Sequence, residues 1–143
     1  QMASLDCPAQ PKRAGASCTL GELEDLYRSD PAAYRRATDR VAGHYAYSLG
    51  YRENGRLVGL HRDFGDGLPV VADRACAAEN SDNHAGSGQN VLYVGGQVRW
   101  CVQPTVGMHL DHIYVNHLNR VNAGICLTDS VLGNSGSRPL PAD

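Results

Sequence analysis

Three histidines fall close together in the stretch HLDHIYVNH, at His109, His112 and His117, with Asp111 among them. On a helix, residues three apart share a face, so His109 and His112 would offer two imidazoles to one zinc ion. On a strand, which Ile113 and Val115 favour, the same two side chains point to opposite faces, and the histidines are surface residues. His84, beside the Gly-rich segment Ala85–Gly88, is a second candidate ligand or acid–base group. Its alternative role is structural, its ring nitrogens tying loop carbonyls together. Two acidic loops carry hard oxygen ligands next to flexible glycine or amide residues: Asp63 with Asp66, and Glu79 with Asp82. Carboxylates so placed suit calcium rather than zinc. Neither loop has the alternating ligands and terminal Glu of an EF-hand, and solvated acidic turns are the alternative. Nucleophilic catalysis has no support: there is no Gly-x-Ser-x-Gly elbow, and Gly86-Ser87-Gly88 lacks the lysine of a phosphate-binding loop.

Cys7, Cys18, Cys76, Cys101 and Cys126 contain no Cys-x-x-Cys pair, which excludes a zinc ribbon or a thioredoxin-type motif. Such usage fits an oxidising, extracellular setting with at least one intrachain disulfide, Cys7 and Cys18 being able to close a short loop. Burial as small hydrophobes is the other use of cysteine.

The elements that must hold these groups fit one domain. The chain has 143 residues, 42% of them hydrophobic and 20% charged, with a net charge of −2. That balance supports a core and argues against a nucleic-acid binder, which would carry a basic face. No apolar run approaches the roughly 18 residues of a membrane span, and no secretory leader pattern is present. Residues 1–18 are rich in Pro, Ala and Ser without hydrophobic period and read as an extended arm. Residues 19–143 read as a single globular unit. Thr19 followed by Glu22 predicts a capped helix, and Ser29-Asp30-Pro31 starts a second one that stops at Gly43. From residue 45 the period becomes two. Asn54-Gly55 and Gly95-Gly96 each predict a two-residue hairpin turn. Residues 68–72 form a short apolar run, and further short strands are expected near 113–115, 121–123 and 125–127. The predicted class is α+β: N-terminal helices packed on an antiparallel sheet of hairpins with long loops.

Residues 82–102 carry a resemblance. Asn83-His84, the loop Ala85–Gly88, the strand beginning at Asn90 and the Gly95-Gly96 turn followed by Val98 resemble the signature of bacterial prepilin-like proteins named for a His-x9-Asp-Gly motif. Cys7-Pro8, Tyr45-Ala46-Tyr47, residues 68–73 and the Gly107–Tyr114 segment are similar too. Here ten residues separate His84 from the turn, Gly95 stands in place of the Asp and Gln97 in place of a second His. The family's N-terminal processing signal and long apolar helix have no counterpart in these residues. The resemblance implies a pseudopilin-head-like fold and, by similarity to major pseudopilins, a calcium-binding loop.

The expected function is therefore a non-enzymatic structural subunit that self-assembles into an extracellular filament or surface array. Its expected partner is another copy, reached through an arm anchored by Met2, Leu5 and Pro8. The alternative is a secreted monomeric binding or metal-dependent enzymatic module using His109, His112, His117 and the acidic loops.

Overall fold

The computed structural model describes residue 7 and residues 18–41, 43–75 and 79–140. Met2, Leu5, Pro8 and Cys76 lie outside the described residues.

Two helices come first. In α1 (Leu20–Ser29) the Thr19 hydroxyl accepts from the Glu22 N–H at 3.2 Å, while the Glu22 carboxylate accepts from the Thr19 N–H at 2.7 Å. This reciprocal box satisfies two helix-end donors and holds the Glu22 carboxyl below its usual value through the hydrogen bonds from Thr19. Asp30 opens α2 (Pro31–Val41) by accepting from the N–H groups of Ala32 and Ala33. The helices pack chiefly on each other, with Tyr27 and Tyr34 edge to face at 5.3 Å. Among the described residues the helices make no extensive contact with the sheet on which the sequence suggested they pack. Leu23 and Ala37 are buried, but Leu20 and Tyr27 remain exposed, so the apolar stripe is too short to cover a sheet face.

The remaining strands are β1 (Tyr45–Ser48), β2 (Tyr51–Glu53), β3 (Arg56–Val58), β4 (Pro69–Asp73), β5 (Gln89–Tyr93), β6 (Val98–Cys101) and β7 (Leu132–Gly133). Five of them form an antiparallel sheet in the order β6-β5-β4-β1-β7, and β2 with β3 forms a separate hairpin. The period-two run that begins at Tyr45 therefore breaks between β1 and β2. Gly50 makes the break at φ 70°, where a side chain would run into the Val58 carbonyl.

Asn54 and Gly55 form the expected two-residue turn, both at positive φ (50° and 77°). The second hairpin differs. Gly96 N–H bonds to the Tyr93 carbonyl and Tyr93 N–H to the Gln97 carbonyl, and only Gly96, at φ 83°, is left-handed. The connection is thus a three-residue loop, Val94-Gly95-Gly96, a turn followed by a left-handed residue. Strands near 113–115, 121–123 and 125–127 are also absent: these stretches are turns, and β7 is the sole strand after β6 among the described residues. Several of their apolar residues are buried nonetheless, Ile113 at 0% and Ala123 at 2% exposure, while Val121 and Ile125 are exposed; burial by turns explains the misleading pattern.

The core lies on one face of the sheet and comprises Ala46, Ala72, Val91, Tyr93, Cys101, Ile113, Tyr114 and Leu132. The opposite face carries the cross-strand row Tyr47, Val71, Leu92 and Val98, set by the registers of β1, β4, β5 and β6.

Candidate functional site

Two groups of ligating side chains assemble from distant parts of the chain: Cys7, Asp73 and His84, and Asp111, His117 and Asp129. The first sits where β4 ends. Ser81 accepts from the Asn83 N–H at 3.1 Å and caps a single turn, Asp82–His84, which left-handed Ala85 closes. That turn delivers Asn83 and His84 to the Asp73 carboxylate. Asp73 Oδ2 accepts from the Asn90 N–H (2.7 Å), from Asn90 Nδ2 (3.1 Å) and from His84 Nε2 (3.0 Å). Its Oδ1 accepts from Asn83 Nδ2 at 3.2 Å. Asn83 also donates to the His44 carbonyl, and His44 Nδ1 accepts from the Cys7 N–H at 3.0 Å. The Tyr114 hydroxyl donates to the Asp73 carbonyl at 2.7 Å. Trp100 stands edge-on to His84, with ring centroids 5.0 Å apart.

Cys7 Sγ lies 4.0 Å from the same nitrogen of His84 that faces Asp73. A thiol–imidazole–carboxylate relay needs the two ring nitrogens to serve different partners, so this arrangement is a clamp rather than a nucleophile. It ties the Cys7 segment, β4 and β5 together beside a cavity of about 530 Å³ that Tyr45, Val71, Leu92 and Val98 also line. His84 was expected to hold loop carbonyls; its partner is instead a carboxylate on a central strand. Cys7 is buried, and its N–H is bound by His44.

The second group is built by loops. Asn116 Oδ1 accepts from the N–H groups of Leu118 and Arg120, each at 3.0 Å, folding the segment that presents His117. Asp129 takes the His117 N–H on both oxygens at 3.2 Å and the Ile125 N–H on Oδ2 at 2.7 Å. Asp111 Oδ2 takes the Ser130 N–H at 2.6 Å. His117 Nε2 then lies 3.1 Å from Asp111 Oδ1 and 3.9 Å from Asp129 Oδ1. Burial pushes the Asp111 carboxyl above the usual range, and the neighbouring Asp129 charge pushes it the same way. The Ser130 N–H and His117 oppose that rise. Gly124 is required here, because a Cβ would collide with the Asp129 carbonyl. The group opens onto a cavity of about 500 Å³ lined by His109, His112 and Thr128.

Of the three clustered histidines, His117 brings its ring to the carboxylates, while His112 meets Asp111 through its backbone N–H. His109 sits at φ 56° in the turn Met108–Leu110, and His112 Nδ1 accepts from the Tyr114 N–H at 3.2 Å. The acidic-loop residues Asp63, Asp66, Glu79 and Asp82 are all exposed and none joins a group of three ligands among the described residues. Asp63 pairs with His61 at 3.0 Å. The expected disulfide is not formed among the described residues: Cys7, Cys18, Cys101 and Cys126 stand in no disulfide. They occupy separate environments, Cys101 Sγ lying 3.7 Å from the Tyr93 hydroxyl and Cys126 Sγ 3.4 Å from Thr128 Oγ1. Of the motif residues, Asn90 joins the clamp, while Gly95 packs on Asp66, where a Cβ would approach to 2.8 Å. Asp73 and Asp129 were not singled out from the sequence. Each ends a short apolar or polar run with no motif around it, and a buried carboxylate has no local signature. No family model, no characterised protein and no solved structure matches the chain.

Proposed function

We propose that the chain is a non-enzymatic structural subunit that self-assembles, through the open face of its sheet, into an extracellular filament or surface array. One observation carries this reading. An antiparallel sheet with one face on the core normally turns polar residues outward on the other. Here the outward row is Tyr47, Val71, Leu92 and Val98, and it continues to Trp100 on the edge strand β6. Val98 is 64% exposed, Trp100 49% and Tyr47 38%. A contiguous apolar surface next to an unpaired strand edge favours a second copy, which would cover the side chains and pair the free backbone groups. Among the described residues no helix is long and apolar enough to cross a membrane, so that surface is not continued by a spanning helix there.

Sedimentation velocity and electron microscopy of the purified chain test the reading. Concentration-dependent assemblies are expected, with Val98→Lys and Trp100→Lys reducing them while circular dichroism stays unchanged. Monomers at high concentration under native conditions would overturn it.

A further inference from the structure

The two histidine–carboxylate groups differ in what remains available to a ligand. In the Asp73 group, both carboxylate oxygens are already engaged by Asn83, Asn90 and His84. A metal entering there would have to displace those donors. In the other group each carboxylate has its Oδ2 held by a short backbone bond, Asp111 by Ser130 and Asp129 by Ile125. Both Oδ1 atoms turn toward the one imidazole nitrogen of His117.

We propose that Asp111, His117 and Asp129 form a binding site for a zinc-class divalent ion, with a coordination position left open to the adjoining cavity. The spacing fits. Ligand atoms bound tetrahedrally at about 2.1 Å stand about 3.4 Å apart, and His117 Nε2 lies 3.1 and 3.9 Å from the two Oδ1 atoms. The orientation is fixed in advance: backbone N–H groups hold each Oδ2, and the His117 N–H, shared between the two Asp129 oxygens, keeps its Oδ1 beside the same ring, as outer-shell donors do in metal sites. A second feature points the same way. Ser130, whose N–H holds Asp111, is itself buried, and its Oγ has no hydrogen-bond partner. A buried hydroxyl left unpaired on the residue that holds Asp111 calls for a water or ion to complete it. The donor set selects the ion: one imidazole nitrogen and two carboxylates suit zinc, whereas calcium takes six to eight oxygens. His117 binds an ion through an unprotonated Nε2, so the bound ring carries its proton on Nδ1. His117 is about half exposed, which gives the ion its route in. The inference does not depend on assembly through the sheet.

The test uses the whole chain freed of metal by a chelator, titrated with zinc chloride alone by calorimetry, with cobalt as a spectroscopic probe. One equivalent of zinc is expected, at micromolar affinity or better. His117→Ala and Asp129→Asn should each weaken it at least tenfold, and the double change His109→Ala with His112→Ala should leave it within about twofold. Cobalt should give visible ligand-field bands without thiolate charge transfer, separating this site from the free cysteines. Absence of zinc uptake would overturn the proposal. So would uptake unaltered by His117→Ala, or a thiolate-type cobalt spectrum. Should Asp129→Asn fail to fold, His117→Ala decides alone, because that side chain is not part of the core.

Discussion

The clamp around Asp73 and the loop group around Asp111 use the same chemistry, an imidazole against aspartates, for opposite ends. At the clamp the carboxylate is 1% exposed and every oxygen is met by a fixed donor, so its hydrogen-bonding capacity is used up in joining strands. In the loop group two buried carboxylates share one half-exposed imidazole, and each turns its Oδ1 toward the same ring nitrogen. Residue type does not separate structure from ligation here. The separation lies in the donors: at the clamp they are mostly side chains brought in from other segments, whereas in the loop group backbone N–H groups hold the carboxylates around a half-exposed ring.

The largest effect should come from the clamp. Asp73→Ala leaves Asn83, Asn90 and His84 without their acceptor, and loss of one partner in such a buried network costs about 3–5 kcal/mol. Denaturant unfolding should show a midpoint shift of that size or no folded state at all; a change below about 1 kcal/mol would mean the clamp is not what holds β4 and β5. Gly124→Ala attacks the loop group through the backbone alone. Overpacking of this kind costs about 1–3 kcal/mol, and zinc affinity measured on the same variant should fall with it. If stability drops while affinity does not, the Asp129 turn and the ion site are independent.

Tyrosine gives a smaller and cleaner comparison. Tyr114→Phe removes the hydroxyl bonded to the Asp73 carbonyl, worth about 1 kcal/mol. Burial raises the Tyr114 hydroxyl well above its ordinary value and pushes Tyr93 up to about 12. The folded chain therefore favours the neutral phenols. Their contribution is complete below pH 10, the ordinary value, and for Tyr93 is lost as pH rises from there towards about 12. Ultraviolet titration should show these two ionising only with unfolding, and early ionisation of either would place it outside the core. The least effect is expected of His117→Ala in chelator, about 0.5–1 kcal/mol, since the ring is half exposed and backbone N–H groups still meet both carboxylates. Thermal melts with and without zinc check it: the wild-type chain should gain stability from the ion and the variant should not.

What the sequence made legible was local. The Thr19–Glu22 box, the Asp30 cap and the Asn54-Gly55 turn each need only neighbours within a few residues, so residue identity suffices. The Gly95-Gly96 loop was placed correctly but one residue too short, because two glycines fit either loop and only the Leu92–Val98 register decides. The region after residue 104 misled for a physical reason. Ile113, Val115 and Ala123 are buried by turns that Asn116 and Asp129 clamp with side-chain bonds, and alternation cannot distinguish that from a ladder. The site residues were half legible. His84, Asn90, Asp111 and His117 stood out by type and company, whereas Asp73 and Asp129 act on partners that reach them through folding.

The sheet order also bears on how the chain reaches this state. Strand β1 lies between β4 and β7, so its second partner arrives from residues 132 and 133, after nearly all the intervening chain has been made. Until then Tyr47 and Ser48 present an open ladder, although the hairpins β2–β3 and β5–β6 can zip locally. Pairing over such a separation carries the loop-closure entropy that slows non-local folds. During synthesis the half-made sheet is therefore sticky along β1, and closing by β7 converts an early nascent chain into one that no longer recruits others at that edge.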